Sequence, residues 1–382
     1  MKLLKRKEKK EKKEKKISEH CPVREAILVL SLMVIGIQRM LRLSTDAMKK
    51  LSEELVRPIH RALSVLNAGV NFSVAELVIA LAVAAVAAYA VWLLIRLVRG
   101  PKRIQTFLRG ILTCLCAVTF VYACFCVLWG IYYYGEDFTE KSGLKEDPIS
   151  TEQLQETTAY FAELLNTYSQ RVTRDENGLY TADRKAILGR SDEVFGNIEK
   201  EFPCLEGPSI RAKGILFSKI MSYTDFTGFF FPFTAEANVN MDFPAGLFAS
   251  TVAHELSHQR GVAKEQEANF TAVLACLAYG DDDYCYSAAM LAYTHLGNAL
   301  FSADREAWLT VYSTLDENVL KDFAANRAYW KQFETPVQEV SNTVYENFLF
   351  SYDQTMGLKS YGACVDLLVN YFGDGSNIKI GA

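Results

Sequence analysis

TVAHELSHQRGVAKEQEANF, residues 251–270, holds two of the chain's five histidines, His254 and His258, four positions apart. On a helix, positions i and i+4 share a face, so both imidazoles can point at one spot. Glu255 follows the first histidine and is the only acidic or basic residue besides the histidines between Thr251 and Gln259. A carboxylate in so apolar a helix is costly unless a partner or a chemical role keeps it there. H-E-x-x-H is the spacing with which helices hold zinc and set a glutamate beside a water on the ion's open side. Glu255 is then the expected general base, taking a proton from the water and passing it to a leaving amine. The competing reading is a satisfied polar cluster in an ordinary helix.

A catalytic zinc takes three protein ligands and keeps a fourth position open. Gly261 can end the first helix in a left-handed conformation and turn the chain back. Glu265 and Glu267 then open the next helix, about 200° apart at 100° per residue, so one of them is expected as the third ligand. Glu265 is favoured, because Asn269 follows one turn later on the same face and can orient it or a histidine. Glu267 is the alternative. A donor to a developing oxyanion is also needed, for which Tyr361 and His295 are candidates. Glu236 and Asn238 are candidates for substrate contact.

The charge is uneven. Residues 1–16 carry ten Lys or Arg against three Glu, whereas residues 136–382 carry 19 against 36 Asp or Glu, a formal charge of −17. An acidic body excludes nucleic acid as the expected partner. Gly110 to Gly135 runs 26 residues without a charge, and Leu77 to Ile95 runs 19; a bilayer core needs about 20. The linking stretch carries Arg96, Arg99, Lys102, Arg103 and Arg109 and no acid, which places it in the cytoplasm. The lysine-rich start belongs on the same side. Both conditions require another crossing, assigned to the apolar run Ala26 to Gln38. The expected organisation is a basic cytoplasmic tail (1–23), a membrane domain (24–135) with spans near 24–41, 73–97 and 110–134, and an extracytoplasmic body (136–382). Residues 42–72 form an external loop. There Leu51, Leu55, Ile59 and Leu63 recur every fourth residue and predict an amphipathic helix on the membrane or the body. His60 is expected at its surface.

In the body, residues 149–200 read as helix, and capping residues open that stretch at Ile149–Glu152. The aromatic segment 222–244 reads as extended chain with a sheet edge, because Pro232 cannot donate within a central strand. Helices are expected at 246–260, 263–279, 284–301, 303–314, 317–332 and 360–372. The fold class is mainly α, a mostly helical α+β body with a small antiparallel sheet behind three transmembrane helices. Cys204, Cys276, Cys285 and Cys364 permit two disulfides in an oxidising compartment. Cys114, Cys116, Cys124 and Cys126 lie in the last span as small apolar residues.

His254-Glu-x-x-His258 followed by Glu265-x-x-Ala268-Asn269 resembles the gluzincin metallopeptidases, whose third ligand is the glutamate of such a second helix. FFFPFTAEANVN (229–240), HELSHQRGVAKEQEANF (254–270) and SYGACVDLL (360–368) together are similar to a bacterial membrane family known only as a domain of unknown function. The resemblance implies three N-terminal spans, a zincin-like body and a peptidase site. By the same resemblance, segment 228–240 is the sheet edge on which a zincin lays its substrate as an added strand.

Together these readings give a membrane-anchored metallopeptidase with one zinc ion, cleaving a peptide or protein substrate outside the cytoplasm, with the lipid bilayer as its other partner. The alternative is a zinc-binding membrane sensor with little turnover. Glu255 favours the first, since a structural metal site has no use for a base and closes its fourth position with Cys or His. A transporter is disfavoured, because the spans hold no interior acid or base.

Overall fold

The computed structural model describes residues 22–144, 147–352 and 361–373. The basic tail up to residue 21 lies outside the described residues. The chain opens with helices α1 (Pro22–Leu41), α2 (Thr45–Leu51), α3 (Arg57–Ala68), α4 (Val74–Arg99) and α5 (Arg103–Leu128). It divides into two compact units, residues 1–44 with 79–128 and residues 45–78 with 129–382.

In the first unit, α4 and α5 are long and apolar enough to cross a membrane. At a rise of about 1.5 Å per residue each exceeds a bilayer core of about 30 Å. The expected third span is not matched. Helix α1 has 20 residues, but every 18-residue stretch of it includes Arg24, Glu25 and Arg39, too much charge for the same assignment. Helix α1 packs along α5, where the Cys116 thiol donates to the Arg24 carbonyl at 3.1 Å.

The second unit includes residues 45–78, so the expected loop 42–72 is largely part of the body, as are residues 129–135. Its buried stripe is Met48, Ser52, Val56, His60 and Ser64. That is one residue out of phase with the leucine repeat, and Leu55 stays exposed. Hydrogen bonds select this face: Ser64 Oγ donates to the Ala235 carbonyl at 2.8 Å, and Asn67 Nδ2 to the Thr234 carbonyl at 2.9 Å. A π-helical turn at Ser52–Val56 joins α2 to α3.

His60 is therefore buried, against expectation, with Tyr132 stacked at 5.9 Å and Phe230 edge-on at 5.4 Å. Burial pushes its pKa down to about 4, partly offset by the Pro232 carbonyl. The unfolded chain then binds a proton that the folded one refuses as pH falls from about 6.5 to about 4. Stability present above that window is lost across it, by up to about 3 kcal/mol. Thermal melts of the parent and of His60→Phe at pH 8 and pH 5 check this: the parent should lose more stability on acidification than the variant.

Helix α6 (Thr151–Ser169) starts at Ser150, whose hydroxyl accepts from Gln153 N while the Gln153 side chain accepts from Ser150 N. The rest of 149–200 is turns with the short helices Arg184–Gly189 and Ile198–Glu201. The sheet has three strands, β1 (Lys213–Ile215), β2 (Gly228–Phe231) and β3 (Glu236–Asn240), in the order β1-β3-β2. It is mixed rather than antiparallel, since β1 runs parallel to β3. Helices α7 (Phe248–Gln259), α8 (Glu265–Tyr279) and α9 (Asp282–Ala303) follow, then α10 (Glu317–Lys331), α11 (Pro336–Ser351) and α12 (Tyr361–Phe372).

Helix α7 lies on β3 and against α8; α8 packs on α9, and α9 on α6. Small residues allow close approach of α7 and α8, where the Thr271 hydroxyl donates to Ser257 Oγ at 2.8 Å. Phe161, Phe195, Phe243, Phe248, Phe270, Tyr284 and Tyr286 are fully buried in one continuous core. All the cysteines among the described residues are free thiols, so neither of the two disulfides that the sequence permits is formed.

Candidate metal centre

Helix α7 ends at Gly261, whose φ of +88° is open to glycine at little cost; a Cβ there would also sit 2.9 Å from the Tyr132 ring. The reversal brings the start of α8 beside the end of α7. One ligand atom from each of His254, His258 and Glu265 then lies within 4.8 Å of the others. His254 Nε2 is 3.1 Å from His258 Nε2 and 3.2 Å from Glu265 Oε2, and His258 Nε2 is 3.8 Å from Glu265 Oε1.

The outer ring nitrogens fix the tautomers. His258 Nδ1 donates to the Val262 carbonyl at 2.7 Å, and His254 Nδ1 to Asn269 Oδ1 at 2.9 Å. Both Nε2 lone pairs then face one point, together with a carboxylate. Such a set of acceptors repels itself unless a cation sits among them, so the donor set fits a divalent metal. The titration behaviour expresses the same demand. Burial opposes charge on His258, but Glu265 and Glu255 raise its pKa to about 9. Glu265 is buried too, yet the histidines hold it well below the usual carboxylate range.

Glu255 is almost wholly buried, and its Oε2 makes no hydrogen bond. Burial raises its pKa to about 7, against the pull of His254 and His258. Gly228 on β2 makes room for it: a Cβ there would meet Glu255 Oε1 at 2.5 Å. The Asn240 N to Thr227 carbonyl bond sets the ladder phase. Gly228 and Phe230 are therefore the β2 residues whose N–H and C=O groups point away from β3. The edge beside Glu255 is the outer one of the sheet.

The structure brings Glu265, Asn269 and Glu255 together with the two histidines. Glu267 is not among them: its carboxylate accepts from Phe138 N and Thr139 N, each at 3.1 Å, and from the Thr139 hydroxyl at 2.9 Å, capping the helix Phe138–Ser142. Glu236 and Asn238 are buried within the body. Glu236 pairs with Lys213 Nζ at 2.5 Å and accepts from Val74 N and Ala75 N at 3.2 and 2.7 Å, so it caps α4. Asn238 accepts from the Ser73 hydroxyl at 2.6 Å and donates to the Glu236 carbonyl at 2.9 Å. His295 is buried in α9, near enough to His254 for that charge to help burial lower its pKa to about 4. Tyr361 opens α12, and its side chain lies outside the described residues.

Sequence reasoning missed Tyr345, whose hydroxyl donates to Glu265 Oε1 at 2.7 Å. It sits on α11, a helix not expected at all, although Thr335-Pro336 is a fair start signal, with Pro inside the first turn. Ser341 Oγ and Asn342 Nδ2 tie α11 to Thr224 and Asp225, and the Tyr345 ring meets Phe226 edge-on. Trp129, edge-on to His258 at 5.7 Å, and Tyr133 were assigned to a span but line this centre, with Trp129 Nε1 donating to the Tyr133 hydroxyl at 3.2 Å. Tyr345→Phe should keep the ring and free Glu265, weakening metal affinity by about 10–100-fold; competition with a chromophoric chelator measures this.

A paired-histidine helix reversed onto a carboxylate-bearing one, with a buried glutamate between ligands, defines the chain as a protein with a candidate H-E-x-x-H metal centre. The chain belongs to the family described as "Protein of unknown function (DUF3810)", which matches residues 51–369. No curated protein and no solved structure matches it.

Proposed function

We propose that this protein is a membrane-anchored, zinc-dependent peptidase whose body lies outside the cytoplasm. The observation that carries the reading is the convergence of His254, His258 and Glu265 on one point, with Glu255 buried beside it and unpaired at Oε2. A bound zinc ion would polarise the scissile carbonyl and make a water acidic enough to lose a proton near pH 7. Glu255 takes that proton and delivers it to the leaving nitrogen as the C–N bond breaks, so the acid and amine products receive the elements of water. Val262 and Asn269 hold the imidazoles in the ligating tautomer, and Tyr345 holds Glu265. An extended peptide pairs with the outward N–H and C=O groups of Gly228 and Phe230, which brings its backbone past Glu255.

The membrane part follows from charge and chain path. The stretch 96–109, basic and free of acid, faces the cytoplasm. Residues 45–78 and 129–373 belong to one unit, so in this reading α4 leads out of the body and α5 leads back to it.

The test uses the full chain purified in detergent. About one zinc per chain is expected by elemental analysis. Cleavage of unstructured peptides should be abolished by a chelator and restored by added zinc. Folded protein that neither contains metal nor takes it up on titration would end this reading. Tight zinc binding with no cleavage across a broad peptide library would leave a binding protein instead.

A further inference from the structure

Beyond β1 the chain makes a tight turn into the short helix Ser218–Tyr223, and three large apolar side chains there face outward. Leu216 is 82% exposed, Phe217 55% and Ile220 63%, and Phe72 is 57% exposed just before α4. Single exposed apolar residues are ordinary; a cluster on one rigid projection marks an interaction site.

The projection is firmly built. The Ser218 hydroxyl donates to the Ile215 carbonyl at 2.6 Å and accepts from Met241 N at 2.7 Å, and Ser222 Oγ meets the Tyr329 hydroxyl at 2.6 Å. Its one basic side chain folds back: Lys219 Nζ is 3.2 Å from Asp242 Oδ2 and 4.8 Å from the centre of the Phe333 ring. The tip therefore shows solvent apolar surface without a free charge of its own.

Its position is fixed by α4. The Glu76 carboxylate accepts from Leu216 N at 3.0 Å and from Phe217 N at 2.7 Å. Glu76 stands in the first turn of α4, and the uncharged run begins at the next residue, Leu77. Two backbone amides of the tip are thus hydrogen-bonded at the level where the long apolar helix begins. A protein partner would need its own complementary surface there; a bilayer entered by α4 supplies apolar contact at that level without one.

We propose that Leu216, Phe217 and Ile220 insert into the acyl boundary of the bilayer that α4 crosses, docking the body on the membrane surface. This rests on the reading of α4 as a span. The body is then held at three places, two helix entries and one wedge, and its candidate centre works on peptides close to the membrane.

The test is Phe217→Trp in the full chain, reconstituted in phosphatidylcholine vesicles with or without brominated acyl chains. The emission added over the parent should be blue-shifted, mostly lost in the brominated vesicles, and insensitive to aqueous iodide. Added emission that iodide quenches and bromine does not would overturn the proposal, as the tip would lie in water. Emission that neither quencher reaches would also overturn it, because protein would cover the tip. Trp92, inside α4, separates the two readings. If Trp92→Phe removes a bromine-quenched component, α4 spans and only the wedge has failed. If it removes none, the spanning assignment is wrong and the wedge falls with it.

Discussion

Glu255→Gln is expected to retain about one zinc per chain and to cut peptide hydrolysis by about 10²–10⁴-fold, the range for losing a positioned general base. The substitution is nearly isosteric, so the space made by Gly228 still fits it. An amide cannot take a proton from water, whereas ligation by His254, His258 and Glu265 does not involve this side chain. Single-turnover rates on a peptide cleaved by the parent, measured beside zinc content, separate the two effects. Equal rates in parent and variant would remove Glu255 from the chemistry. A variant that had lost its metal would make the glutamate structural instead.

The ligand set gives the second large effect. His258→Ala should take the zinc content from about one to near none. With it should go the rise in melting temperature that zinc gives the parent, a stabilisation of about 4 kcal/mol when the free ion exceeds its dissociation constant a thousandfold. Glu265→Ala should behave alike. Glu267→Gln should not: its carboxylate caps the helix Phe138–Ser142, so the variant keeps its metal and melts at a lower temperature. A variant pattern with the two glutamates exchanged would mean that the wrong helix face had been assigned.

Much of the centre was legible because it is local. The two histidines, Glu255, Gly261 and Glu265 lie within twelve residues, where helical periodicity and one left-handed glycine fix their relation. Asn269 follows from the same helix. Tyr345 is eighty residues from Glu265, and only tertiary packing brings them together. The phase of α2–α3 misled for a related reason. Its leucines form the better apolar stripe, but the body offers the backbone carbonyls of Thr234 and Ala235, and Ser64 and Asn67 answer them. Strand β1 has only three residues and no alternation to betray it. Glu236 and Asn238 look like site residues in sequence because they are polar within an aromatic stretch; in the fold they secure the start of α4.

The body is interrupted. Residues 45–78 supply Met48, Val56 and Ala75 to its interior, and the remainder begins only at Trp129. As a chain leaves the ribosome, the first piece therefore emerges well before the partner it packs on, with a fifty-residue hairpin made in between. Biogenesis has a fixed order in consequence: α4 and α5 are synthesised, and find their surroundings, before His254, His258 and Glu265 can be brought together. A fragment cut after α5 would lack part of its own interior: the body needs residues 45–78 as well as the chain from 129 onward.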